Sequence, residues 1–279
     1  VKKSIITLIV MVAIFFTLIL YSHLVEPNMV RISEVEVYCI SNCSRYVDVR
    51  IVQLSDLHLR DFSHREVEVI NLACSVKPNI IVLTGDLVDD PNYLKVLEEF
   101  VKELRRTCPR IVKFYAVFGN WEYWSGTTDR VEKILENCGV KVLINSNDLV
   151  EVKSVKLWIV GIDDPVTHHD NVDEAFRGLN SSLPIIVITH APGIADEVVK
   201  KYPKTCLILA GHTHGGQIVL PLLGPIYVPE GSNHYISGMY RIGNTTLYVS
   251  RGIGTYKNLP LRLLSPPEIV LIHLKLCIE

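Results

Sequence analysis

The sequence has no excess of charge of either sign: 28 Lys and Arg stand against 30 Asp and Glu, a formal net charge of −2. That leaves no basic face of the kind nucleic-acid binders carry, so no nucleic-acid partner is expected and any phosphate group has to be held by a local site. Nor is cysteine spaced for metal. The seven cysteines are odd in number, so they cannot all pair within one chain, and none forms the C-x-x-C of a thiolate metal site. A Pro-, Gly- or Ser-rich linker and an internal repeat are also missing between Val30 and Glu279, which leaves one domain there as the simplest partition. The last absence is local: residues 4–21 contain no charged side chain.

That uncharged run, SIITLIVMVAIFFTLILY, nearly crosses a hydrocarbon layer of roughly 30 Å at about 1.5 Å per helical residue, and extension through Val25 completes the span. Lys2 and Lys3 precede it and the next Lys or Arg is Arg31, so the positive-inside bias puts the N-terminal side in the cytoplasm. The expectation is a single-pass protein of the cell membrane, with residues 1–26 as the anchor and residues 27–279 as an extracytoplasmic catalytic domain. A cleaved signal peptide is the alternative, but the run is long for its apolar region and no small-x-small cleavage site follows. Outside the cytoplasm Cys39 and Cys43 can bridge across the turn Ile40-Ser41-Asn42; otherwise they are two unpaired small apolar residues.

At 48% hydrophobic and 21% charged, the 279 residues hold ample material for a core. Polar and apolar residues alternate over 31–38 and 45–52 on either side of a short polar turn, which predicts a β-hairpin. The second strand runs into Leu54-Ser55-Asp56-Leu57-His58, and Ser63 with Glu66 makes a capping box ahead of helically spaced Val67, Ile70 and Cys74. The unit recurs. Residues 78–84 lead into Gly85-Asp86-Leu87-Val88-Asp89-Asp90 and a helix behind Pro91; residues 112–118 lead into Gly119-Asn120-Trp121-Glu122 and a helix boxed by Asp129 and Glu132. Short strands are expected over 141–143 and 149–152, and a longer one over 157–162 ends at Asp163-Asp164-Pro165. A fourth unit runs 184–190 into a helix near 194–200, a fifth runs 206–210 into Gly211-His212-Thr213-His214-Gly215-Gly216, and strands over 246–250 and 269–274 follow. Repeated strand–loop–helix units predict an α/β fold with helices outside the sheet and function at the carboxyl ends of the strands.

The candidate ligands all stand at those ends: Asp56, His58, Asp86, Asn120, His190, His212 and His214. Two carboxylates, an amide oxygen and four imidazoles are enough for two divalent ions, and the mixed N/O set suits Mn, Fe, Zn or Co rather than Ca or Mg. Two such ions clamp a phosphoryl group and activate a water as nucleophile, so hydrolysis needs no protein nucleophile.

D-x-H, G-D-x-x-D, G-N-x-E, an isolated H and G-H-x-H, in this order, resemble the calcineurin-like metallophosphoesterases over about residues 49–274. The resemblance implies two packed mixed β-sheets flanked by helices, here behind the N-terminal helix. It also implies one ion on Asp56, His58, Asp86 and His214 and another on Asp86, Asn120, His190 and His212, with Asp86 bridging. Asp56, Asp86, Asn120 and His212 would be the catalytic core. Similarity to membrane-anchored members of the family, some of which act on lipid-linked pyrophosphates, implies a phosphorylated small-molecule or lipid substrate.

One position departs from the family. Its third motif usually reads G-N-H, and Trp121 stands where that histidine would help with the phosphate or the leaving oxygen. An indole N–H donates a hydrogen bond but has no usable pKa. His168, His169, His234 and Tyr123 are candidate substitutes, and each also reads as an ordinary loop or surface residue. The stretch 218–229 is apolar with three prolines, readable as buried strand and turn or as a lipid-facing lip, the first being the simpler. The expected function is metal-dependent cleavage of a phosphodiester or pyrophosphate bond. The alternatives are a membrane-anchored metal-containing binding protein without turnover, and a phosphomonoesterase or phosphoprotein phosphatase.

Overall fold

The structure, a computed structural model, describes residues 2–40, 43–108, 113–180 and 182–278. Helix α1 (Lys2–Leu20) continues through a π turn (Tyr21–Val25) and a 3-10 turn (Glu26–Asn28) into the domain. In chain order follow β1 (Arg31–Tyr38), β2 (Tyr46–Leu54), α2 (His64–Ser75), β3 (Ile80–Thr84), α3 (Leu94–Thr107), β4 (Lys113–Val117), α4 (Asn120–Trp124), α5 (Thr128–Asn137), β5 (Lys141–Val142), β6 (Ser146–Val152) and β7 (Val155–Gly161). The second half comprises α6 (Val172–Ala175), β8 (Ile185–Ile188), α7 (Ala195–Lys201), β9 (Thr205–Ala210), β10 (Val219–Leu220), β11 (Gly224–Pro225), β12 (Gly238–Ile242), β13 (Thr245–Val249) and β14 (Glu268–Cys277).

Two six-stranded sheets result, in the orders β1-β14-β2-β3-β4-β5 and β12-β13-β9-β8-β7-β6, with β10 and β11 as a separate hairpin. Both sheets are mixed: β14 runs antiparallel to β2 inside an otherwise parallel first sheet, and β6 and β12 close the second as antiparallel edges. The two-residue period of a strand decides what each side chain meets. Val49 and Ile51 of β2 and Ile80 and Val82 of β3 face Ile186, Ile188, Leu207 and Leu209 of the other sheet. The intervening Val52, Leu54, Ile81 and Leu83 pack under α2, α3 and α5, and α6 and α7 cover the far face of the second sheet. The result is the expected sandwich of two sheets between helices.

The expected hairpin over 31–52 does not form. β1 pairs in parallel with β14 and β14 pairs with β2, so the last strand separates the first two. Alternation fixes which face of a strand is buried but not which neighbour it takes, and the strand carrying buried Ile269–Ile272 and Leu274 fills that slot. The turn tip at Ser41 and Asn42, and Val112 at the start of the third unit, lie outside the described residues.

The two cysteines of that turn follow the strand order. Cys39 bridges Cys206 at the start of β9, Cys43 bridges Cys277 at the end of β14, and Cys74 bridges Cys108. They neither join each other nor remain free; Cys138 is the free cysteine. The box at Ser63 and Glu66 forms, whereas α5 starts at Thr128 with Thr127 in the cap position, ahead of the expected Asp129. In the stretch 218–229, Leu222, Leu223, Ile226 and Tyr227 are exposed, so this is not the buried strand and turn that its composition first suggests.

Candidate metal centre

Loops leaving β2, β3 and β4 of one sheet and β8 and β9 of the other meet over their carboxyl ends and bring all seven residues singled out in the sequence together, each buried. Directing them into so small a volume takes unusual backbone. Asp56, His58, Asp86, His212 and His214 have φ of 50°, 41°, 52°, 73° and 50°. The left-handed region is sparsely used by side chains other than glycine, and such strain persists where surrounding structure enforces it. Part of that enforcement is close approach: a Cβ on Gly211 would lie 1.8 Å from Ser55 Oγ, and the adjacent His212 N donates to Asp56 Oδ1 at 2.9 Å. The first and last motifs are thereby pressed together.

The donors divide into two clusters, Asp56, His58 and His214, and Asp86, His190 and His212, each with ligand atoms within 4.8 Å of one another. In the first, His58 Nε2 is 3.2 Å from His214 Nε2, and His214 Nε2 is 3.5 Å from Asp56 Oδ1. In the second, His190 Nε2 is 3.1 Å from both Asn120 Oδ1 and His212 Nδ1. Asp86 Oδ2 stands between them, 3.6 Å from His58 Nε2 and 3.2 Å from His190 Nε2.

Hydrogen-bond roles make the second cluster a test of fit for a cation. His190 Nδ1 can only donate to the Thr84 carbonyl at 2.8 Å, and His212 Nε2 can only donate to the Glu230 carbonyl at 2.7 Å. Each neutral ring therefore turns a lone pair inward, and these meet a carboxylate oxygen and an amide oxygen. Four acceptors converge with no donor among them, so a cation belongs there, and the mixed N/O set suits a borderline divalent ion. The titration behaviour is that of a site built for positive charge. Burial pulls His190 down, but Asp86 and then Asp56 raise it well above the ordinary histidine range, so positive charge is favoured there. Burial would raise Asp86, yet His190 and His58 bring it down to about 2. Burial and the neighbouring His190 lower His212 to about 4, and burial and His58 hold His214 well below its usual value.

Several residues behind the donors were not singled out for these roles from sequence. The Glu122 carboxylate accepts from the backbone N–H of Asp86, Leu87, Val88 and Gly119 at 3.0, 2.7, 3.2 and 2.9 Å, clamping the second motif to the third. Its signal was present, an acid two residues after Asn120. Asp89, the second acid of G-D-x-x-D, lies 3.6 Å from His58 Nδ1 and accepts from Arg60 at 2.7 Å. Arg262 and Ser265 carry no comparable signal. Arg262 is fully buried, donates to the carbonyls of Gly254 and Arg251 at 2.6 and 2.9 Å, and lies 3.4 Å from His214 Nδ1; Ser265 Oγ donates to the His214 carbonyl at 2.8 Å.

The same loop receives the end of the N-terminal helix. Arg262 N donates to the Ser22 carbonyl at 2.8 Å and Ser265 N donates to Glu26 Oε1 at 2.7 Å. The apolar window within residues 3–28 is long enough to cross a membrane and none of it is buried.

Asp86, Asn120 and His212 open into a cavity of about 190 Å3 walled by Trp121, Trp124, Tyr227, Pro229 and Tyr256. Trp121 N donates to Asp86 Oδ1 at 2.9 Å while its indole bounds the cavity. None of the four candidate substitutes lines that cavity. Tyr123 is bonded to Asp163 and stacked on His169, whose Nδ1 pairs with Thr167 at 2.9 Å; His234 packs on Tyr235. Of the two tyrosines in the wall, Tyr256 has its hydroxyl 3.3 Å from the His212 carbonyl, and burial together with Asp56 and Asp86 pushes its pKa far up.

A family profile described as calcineurin-like phosphoesterase matches residues 49–216. The chain is 32% identical to the uncharacterized metallophosphoesterase YkuE of Bacillus subtilis, over 91% of this chain and 89% of that protein. It is 29% identical to the phosphodiesterase YaeI of Escherichia coli, over 81% of this chain and 82% of that one. A Danio rerio relative named as a transmembrane protein with metallophosphoesterase domain is 30% identical over 81% of this chain and 53% of its own length.

Proposed function

The chain belongs to the calcineurin-like phosphoesterase family and is a hydrolase of phosphoric esters, and from that premise we propose a dinuclear enzyme that cleaves phosphodiester or pyrophosphate bonds. The observation that carries this reading is the convergence of acceptors without a donor in the second cluster, beside a first cluster of one carboxylate and two imidazoles, with one Asp86 oxygen between them. Asp56, His58, Asp86 and His214 would hold one divalent ion and Asp86, Asn120, His190 and His212 the other, Mn, Fe, Zn or Co being compatible. Bound ions would supply Lewis-acid stabilisation of the phosphoryl oxygens and activation of a water.

The chain's own groups set the rest. The Thr84 and Glu230 carbonyls orient the two imidazoles of the second cluster, and Glu122 fixes the loops bearing Asp86 and Asn120. Around the reacting centre the cavity wall is largely aromatic, and neither Trp121, which has no usable pKa, nor Tyr256, which is shifted far upward, is suited to general-acid work. That supports a substrate whose leaving group departs without help, such as a phosphate or nucleotide, and the apolar wall suits a substrate with a lipid portion.

The assignment of residues 1–26 to a membrane anchor and 27–279 to the catalytic domain is part of the same reading. It is supported by the unburied apolar helix. Disulfides Cys39–Cys206, Cys43–Cys277 and Cys74–Cys108 favour an oxidising compartment for the domain, in line with an extracytoplasmic orientation. Protease added to intact cells should then digest the domain; full protection until lysis would reverse the orientation. The catalytic reading is tested on the full chain in detergent with an activated aryl phosphodiester: turnover should appear with added Mn2+, cease on chelation and return on re-addition. Ions bound without turnover would leave a binding protein.

A further inference from the structure

The exposed apolar hairpin β10–β11 is unexplained by catalysis. Leu222 at its tip is fully exposed and Leu223 is 81% exposed, with Ile226 and Tyr227 exposed behind them. An apolar cluster of this size on a surface calls for a partner, and the hairpin's attachments identify it. Val219 N donates to the Leu263 carbonyl at 2.9 Å, and Ile218 bridges Leu263. The next residue back, Arg262, donates its N–H to the Ser22 carbonyl at the root of the apolar helix, and His23 Nδ1 is 2.9 Å from the Pro260 carbonyl. Leu222 is three residues from Val219, so at about 3.5 Å per residue it lies within roughly 10 Å of that junction. Leu259 and Leu264, on the β13–β14 loop that bonds to both hairpin and helix, are also exposed.

We propose that the tip of this hairpin enters the interfacial layer of the bilayer that holds the N-terminal helix, and so presents the catalytic cavity at the membrane surface. The proposal rests on the reading of that helix as an anchor. The headgroup layer on each side of the hydrocarbon core is roughly 5–7 Å deep, comparable to the reach of the hairpin from the anchor's root. Tyr227 and Trp124, both exposed and both lining the cavity, then take the interfacial position that amphipathic aromatics favour. The hairpin is also rigidly tied to the metal loop: Gly216 has φ of 80°, and a Cβ there would lie 2.3 Å from Pro225 Cβ. Leu222 and Leu223 thus fix how the cavity faces the lipid.

The test uses the full chain in lipid nanodiscs, with Cys138→Ser to remove the free thiol and an environment-sensitive fluorophore placed in turn at Leu18→Cys, Leu223→Cys and Asn244→Cys. Asn244 is exposed beside the amino end of β9, away from the centre. Nitroxide-labelled lipids should quench and lipid should blue-shift the probes at 18 and 223 but not the one at 244. Quenching at 18 with a probe at 223 that behaves like the one at 244 would overturn the docking and leave the anchor standing. No quenching at 18 would overturn the anchor and the docking with it.

Discussion

His190 Nε2 and His212 Nδ1 face each other at 3.1 Å with no proton between them when both rings are neutral, because each ring spends its N–H on a backbone carbonyl. That contact is unfavourable between two neutral rings and is relieved by positive charge, which fits the proposal that both rings hold a divalent ion. Replacing one of the proposed ligands has a clear consequence. Asp86→Ala and His212→Ala should each lower turnover by more than the roughly 100-fold typical of residues that only support a ligand, with loss of bound metal measured by elemental analysis on the same samples.

Glu122 supports from behind. Its carboxylate ties four backbone N–H groups of two ligand-bearing loops, and Glu122→Gln replaces one acceptor oxygen by a donor that those N–H groups cannot use. The expected loss in metal affinity is about 10–100-fold, read by competition with a fluorescent chelator, with a lower Tm.

Trp121 should set leaving-group preference. Positioned proton donation contributes on the order of 10²–10⁴-fold, and neither Trp121 nor Tyr256 is a suitable donor. Comparison of kcat/KM for a pyrophosphate diester, an aryl phosphodiester and an alkyl monophosphate should rank the alkyl substrate last, and Trp121→His should raise it selectively. Equal rates on all three in the parent, or no selective gain in the variant, would remove Trp121 from that role.

The convergence of the seven candidate ligands was legible because each follows an apolar strand in a short polar motif, a pattern local enough for sequence to carry. What was not legible depends on distant chain. β14 comes between β1 and β2 from more than two hundred residues away, which undid the expected hairpin and, with it, any pairing of Cys39 with Cys43. Arg262 and Ser265 reach His214 from a loop with no motif, and nothing in the residues around them announces a buried guanidinium. Tyr123 was a candidate substitute for the missing histidine, but Asp163, forty residues on, engages its hydroxyl.

Acid sensitivity offers a check on the fold away from the centre. Burial would raise Glu66, but Arg65 and the Ser63 hydroxyl and N–H at 2.6 and 3.0 Å lower it below 4.5. A depressed carboxylate contributes stability that is complete above its unfolded value and is lost as pH falls through the folded one. Glu66→Gln should therefore be less stable than the parent near neutral pH, with the difference closing below 4.5 in denaturant titrations.

The central claim is that two adjacent ion sites share Asp86 and together hydrolyse a phosphoric ester. Its most direct measurement is metal stoichiometry against turnover, on the full chain stripped by chelator and titrated with Mn2+ while hydrolysis of an aryl phosphodiester is followed. Two ions per chain, with turnover rising to its maximum as the second binds, and one ion without turnover in His190→Ala, is the expected result. Full turnover at one ion per chain, or turnover that survives complete chelation, would contradict it.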